Sequence, residues 1–124
     1  MYQLSITRDF IAQHFLIGGD WGAENQRHSH HYRVELVIAG SALDRHGYLI
    51  DIVDVDRVLS EVTAIFRDTT LNEHAAFHDL NPSIERFARL LWEMLVQRLA
   101  LQDKTLSIKL WENGTDWAAY GPAA

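Results

Sequence analysis

Cysteine is absent from the 124 residues of the chain, which excludes a disulfide framework, a thiolate-held zinc finger, an iron–sulfur cluster and any cysteine nucleophile. Proline is nearly as scarce, with two residues, one where a helix is expected to start and one near the end of the chain. Apolar runs stop after a few residues, so no segment is long enough to cross a bilayer. No basic stretch followed by an apolar one opens the chain, no secretory signal is read, and the cytoplasm is the expected compartment. Basic residues are outnumbered, 11 Lys and Arg against 17 Asp and Glu, for a formal net charge of −6. This balance argues against nucleic acid or an anionic membrane surface as a partner.

Repeats, low-complexity tracts and linkers are also missing, so residues 1–124 are expected to fold as one domain. Two strands are predicted first. The even positions from Leu4 to Leu16 put Leu4, Ile6, Phe10, Ala12 and His14 on one face, and Tyr32, Val34, Leu36 and Ile38 alternate with Arg33 and Glu35 between Ser29 and Ala39. The glycine-rich stretch between them, Ile17 to Gln26, reads as a loop. Val55, Val58, Leu59, Val62, Ile65 and Phe66 then recur at helical spacing. A second helix has Asn81 as its predicted N-cap, Pro82 in its first turn and an apolar stripe of Ile84, Phe87, Ala88, Leu91, Met94 and Leu95. Leu106, Ile108 and Leu110 alternate again before a short segment from Trp117 to Tyr120. The order is α+β, an antiparallel four-stranded sheet with two helices packed on one face.

Seven histidines are many for so short a chain. Strand residues two apart point to the same side, so His28 and His30 share a face, and His14 on the neighbouring strand has inward parity. Three neutral imidazoles suit Zn²⁺ and leave its fourth position for water or substrate. The plainer alternative is that these are solvated strand histidines. His31 has the parity of Arg33 and Glu35 and is read as solvated; His46, His74 and His78 fall in turns and loops, from which one of the last two can still reach the site. Glu112 continues the even parity of Leu110, so it either points inward, where an unpaired charge is costly and paired N–H donors are wanted, or follows the end of the strand into water. Glu85 in a first helical turn is explained by the helix dipole alone.

Six blocks in order, Phe10-Ile-Ala-Gln-His14, His28-Ser-His30-His-Tyr32, Gly47-Tyr-Leu-Ile-Asp51, Leu71-Asn72-Glu73, Asn81-Pro-Ser-Ile-Glu85 and Trp111-Glu112, resemble the 6-pyruvoyl-tetrahydropterin synthase family, which includes bacterial 6-carboxy-tetrahydropterin synthases of queuosine biosynthesis. The resemblance covers nearly the whole chain. It implies the tunnelling fold, a homo-oligomer in which trimeric rings pair into hexamers with active sites between subunits, and a small pterin as substrate. It implies zinc on His14, His28 and His30, a pterin anchored by Glu112, and Ser83 and Glu85 near the pterin pocket. The chain departs from the family where the catalytic base, a cysteine, precedes the His-X-His pair; here that stretch is Ala23-Glu24-Asn25-Gln26-Arg27. The family's Asp-His pair before Leu71-Asn72 is replaced by Arg67-Asp68. Glu24 thus stands in or near the base's place, with Asp68, His74 or His78 as candidate relays, and the alternative for Glu24 is a solvated loop residue. Family members with glutamate there resemble aldolases of the dihydroneopterin side chain. The expected function is a zinc-dependent, pterin-binding lyase acting on such a side chain; the alternative is a diverged pterin-binding homologue that has lost the synthase reaction.

Overall fold

The structure is a computed structural model that describes residues 1–122. Two thirteen-residue strands, β1 (Tyr2–His14) and β2 (His28–Gly40), are followed by helices α1 (Ile52–Phe66) and α2 (Ile84–Arg98) and by strands β3 (Thr105–Trp111) and β4 (Trp117–Tyr120). The sheet is antiparallel throughout in the order β1-β2-β3-β4. Its register pairs even positions with even: Ala12 faces His30, Phe10 faces Tyr32, and Leu36 faces both Ile6 and Ile108. One parity therefore runs unbroken across the strands, and both helices pack on that side.

The interior follows from this parity. Phe10, Ala12, Tyr32, Val34, Leu36, Ile38, Leu106, Ile108 and Leu110 are buried against Val55, Val58, Leu59 and Val62 of α1 and Phe87, Ala88, Leu91 and Leu95 of α2. The odd positions form a polar outer face, where Arg33 Nε donates to Asp9 Oδ1 at 3.0 Å across β1 and β2. Phe87 sits centrally, with its ring 5.2 Å from Tyr32, 5.1 Å from Phe66 and 5.9 Å from Phe10, all at steep interplanar angles. Replacing this fully buried ring by alanine, Phe87→Ala, is expected to cost about 3–5 kcal/mol. A urea midpoint unchanged by the substitution would contradict the packing described.

Two expectations about the helices need correction. The cap of α2 is Ser83, whose hydroxyl accepts from Arg86 N–H at 3.2 Å; Asn81 lies two residues earlier and its carboxamide bonds Ile17 instead. The sequence offers two short polar side chains around Pro82, and a long-range partner claims the first. Ile65 is 38 % exposed, because it stands about 100° around α1 from Phe66, at the margin of the apolar stripe. The expected loop from Arg67 to Leu80 contains two short 3-10 turns, Leu71–Glu73 and Ala75–Phe77.

Candidate functional site

At the end of the sheet where β1 finishes and β2 begins, the inward parity passes from apolar residues to His14, His28 and His30. Ala12 and Tyr32 lie directly beneath them on the same face. The three imidazoles meet in a near-orthogonal cluster: ring centroids are 4.6 Å apart for His14 and His28, 4.7 Å for His14 and His30, and 4.9 Å for His28 and His30. One ring nitrogen of each lies within 4.8 Å of the others, close enough for one cation to draw all three onto itself. Three nitrogen donors and no thiolate suit a borderline metal that keeps a position for a further ligand.

Neighbouring groups orient these rings, and burial favours the neutral form of His14 that a metal requires. His28 Nδ1 is 2.8 Å from the Gln26 carbonyl; a carbonyl only accepts, so Nδ1 carries a hydrogen and Nε2 is the nitrogen that can serve a metal. His14 Nδ1 lies 3.2 Å from the hydroxyl of Tyr32, whose phenol burial and, secondarily, the Glu112 charge hold in its protonated form. Burial, reinforced by His30 and His28, pushes His14 down to about 4 against a weaker opposing contact with the Pro82 carbonyl. In the unfolded chain His14 takes up a proton near its ordinary value of about 6.5, whereas in the fold it resists until about pH 4. The metal-free protein should therefore keep this contribution to stability above pH 6.5 and lose it, on the order of 3 kcal/mol in total, as the pH falls through that window. Urea midpoints between pH 7 and pH 4 measure it, and His14→Gln should flatten the slope; an equal slope in the variant would assign the effect to other groups.

Glu112 follows the last residue of β3, and its Oε1 lies 3.8 Å from His30 Nε2. It is neither fully buried nor free in water, with 28 % of the side chain exposed. Pairing of β2 with β3 stops at Arg33 and Trp111, and β3 then turns through Asn113–Asp116, with Asn113 Oδ1 accepting from the Thr115 and Asp116 N–H groups. Beyond that point β2 is paired with β1 only, and its open side leaves a cavity of about 470 Å³ whose lining includes His30, His31, Arg33, Trp111 and Glu112. Of the histidine cluster His30 alone lines it, so a small ligand seated here can meet both the Glu112 carboxylate and that imidazole.

The other sequence candidates are placed less centrally. Glu24 lies in a 3-10 turn, Gly22–Asn25; its carbonyl accepts from Leu16 N–H at 2.9 Å, but its side chain is exposed and bonds nothing among the described residues. Asp68 is exposed at φ 60 and donates its N–H to the Ile11 carbonyl on the free edge of β1. Ser83 is half-buried and engaged as a helix cap, and Glu85 is exposed in the first turn of α2. His74 packs at a tilt against Phe66 and holds Thr69 Oγ1 at 2.9 Å, while His78 is exposed beside Asp79, so neither joins the cluster. His31 points to the outer face, 66 % exposed, as its parity implied. Two supporting contacts were not anticipated: the Gln26 carbonyl, which has no signature in a sequence, and Tyr32, whose position two residues after His30 on the same face was a usable signal.

The antiparallel four-stranded sheet with two helices on one face is the tunnelling fold. The 6-pyruvoyl tetrahydropterin synthase family model matches residues 3–123, and the chain belongs to that family. It is 25% identical over 130 residues to the 6-carboxy-5,6,7,8-tetrahydropterin synthase of Bacillus subtilis (strain 168), covering 98% of this chain and 87% of that protein. Among solved structures it resembles the Caenorhabditis elegans 6-pyruvoyl tetrahydropterin synthase at a TM-score of 0.82 and 17% identity, over 98% of this chain and 96% of that one. A Plasmodium vivax 6-pyruvoyltetrahydropterin synthase whose catalytic glutamate is replaced by alanine superposes at a TM-score of 0.79 and 15% identity, over 99% and 98% of the two chains.

Proposed function

We propose that the chain is a zinc-dependent, pterin-binding lyase of the cytoplasm that acts on the side chain of a dihydroneopterin-type substrate. The observation that carries this reading is the convergence of His14, His28 and His30 next to the Glu112 carboxylate at the edge of a ligand-sized cavity. Zinc held by the three imidazoles supplies a Lewis acid for a side-chain hydroxyl or carbonyl. Glu112 accepts the paired N–H groups of the pterin ring and fixes its orientation. Ser83 and Glu85, at the start of α2, border the pterin from the helix side. Glu24 takes the proton from the side chain, and Asp68 relays it.

Support for Glu24 comes from the Plasmodium vivax relative, in which a glutamate is a catalytic residue. Its exposure in the single chain fits a site completed by a second subunit, and a homohexamer of two trimers would supply one. The β1 and β4 edges of the sheet and the exposed Tyr2, Ile11 and Trp117 are suited to such contacts. A second reading, a diverged homologue that binds pterin without the synthase reaction, is favoured by the same exposure of Glu24 and by Arg67-Asp68 in place of the family's Asp-His pair.

The deciding experiment is incubation of the zinc-loaded protein with dihydroneopterin and with its triphosphate, followed by identification of products by mass spectrometry. A pterin with a shortened or rearranged side chain is expected. Glu24→Gln should lower turnover by roughly a hundredfold or more while leaving zinc content unchanged. Tight pterin binding with both substrates recovered intact would select the second reading.

A further inference from the structure

We infer that three asparagines, Asn72, Asn25 and Asn81, form a clamp that positions His14 for the metal and ties it to the turn bearing Glu24. The inference rests on the metal site proposed above and adds to it residues that touch no ligand. Strand β1 ends at His14, yet the next three residues remain held as if strand pairing continued. Asn72 Oδ1 accepts from Phe15 N–H at 3.0 Å and its Nδ2 donates to the Phe15 carbonyl at 2.9 Å. Asn81 repeats the pattern on Ile17, at 2.7 Å and 3.1 Å. Between them Leu16 donates its N–H to the Glu24 carbonyl at 2.9 Å, and its own carbonyl accepts from Asn25 Nδ2 at 2.9 Å.

A carboxamide presents a C=O and an N–H side by side in one plane, as a peptide unit does, so it can substitute for a neighbouring strand. Upstream of His14 the Gln13 N–H donates to the Thr69 carbonyl and the Ile11 carbonyl accepts from Asp68 N–H. The backbone on both sides of His14 is thus held from far along the chain, downstream by Asn72 and Asn81, 57 and 64 positions from their partners, and upstream by Thr69 and Asp68. Asn25 also accepts from Trp21 N–H at 2.7 Å and donates to the Gly19 carbonyl at 3.0 Å, so it anchors the turn that bears Glu24 in the same network. His14 is the last residue of β1 paired with β2, opposite His28, so losing the hold on Phe15 and Ile17 would let this strand end fray and the His14 ring leave His28 and His30.

The test uses Asn72→Ala, Asn81→Ala and the conservative Asn72→Asp, with Gln3→Ala at the far, exposed end of β1 as control. Each alanine variant should bind Co²⁺ roughly ten- to a hundredfold more weakly than wild type, with a changed visible ligand-field spectrum, while its far-ultraviolet circular dichroism is retained. Asn72→Asp, which keeps the acceptor for Phe15 and loses the donor, should fall between. In the metal-free proteins the His14 ring resonance should shift or broaden in the alanine variants and stay in place in the control. Wild-type Co²⁺ affinity and spectrum in both alanine variants, or an unmoved His14 resonance, would overturn the clamp. A wild-type protein that takes up neither Co²⁺ nor Zn²⁺ would instead overturn the metal reading, and the His14 resonance would still decide the clamp.

Discussion

His30→Ala is expected to reduce zinc affinity by more than about a hundredfold and to leave the sheet intact. Substitutions that only disturb the partners of a metal ligand cost ten- to a hundredfold, and here a donor is removed outright from a set of three. Two imidazoles leave the ion to complete its shell with water, which forfeits the closed nitrogen face that the sheet end provides. The hydrogen bonds of His28 to the Gln26 carbonyl and between Tyr32 and His14 orient the remaining rings without supplying a further metal ligand. The matched control is His31→Ala, one residue along the same strand but on the outer face, beside Asp9; it should bind zinc as the wild type does. Metal content after dialysis against a weak chelator and calorimetric titration of the stripped proteins measure both. Equal affinity for wild type and His30→Ala would remove His30 from the site. Equal losses for His30→Ala and His31→Ala would point to general destabilisation rather than to coordination.

That contrast between neighbours was legible in the sequence because a strand alternates with a period of two. Even parity through Phe10, Ala12, His14, Tyr32, Val34 and Leu110 foretold both the buried face and the meeting of three histidines, since an even-to-even register keeps one face continuous across strands. Helical spacing likewise placed the stripes of α1 and α2, with only the marginal Ile65 turned partly outward. Alternation could not reveal what long-range polar contacts decide. Asn81 has the chemistry of a cap in its own neighbourhood, and it is drawn instead to a backbone segment 64 positions away. Asn72 belongs to the motif that prompted the family resemblance, but its bonds to Phe15 depend on how the 3-10 turn Leu71–Glu73 docks beside the end of β1. The position of Glu24 is a property of a loop, where no periodicity constrains the side chain.

Glu112→Gln should lower pterin affinity by roughly a hundredfold or more while sparing zinc. In the proposed site the carboxylate receives two N–H groups from one edge of the heterocycle, and hydrogen bonds to a charged acceptor contribute about 1.5–3 kcal/mol each. Glutamine keeps the shape of the side chain but replaces one acceptor oxygen with an N–H donor, which then faces an N–H of the ligand. The pairing is weakened to a neutral hydrogen bond at the position that keeps an oxygen and becomes repulsive at the other. Glu112 is positioned to matter in this way because it stands at the cavity wall beside His30, 3.8 Å from that ring nitrogen and accessible through the gap where β2 and β3 part. It lies outside the three-histidine cluster, so the zinc content of Glu112→Gln should match that of the wild type. Pterin fluorescence titration and metal analysis on the same preparation separate the two effects. Undiminished pterin affinity in Glu112→Gln would remove Glu112 as the anchor, and a parallel loss of zinc would show instead that its place is in holding His30.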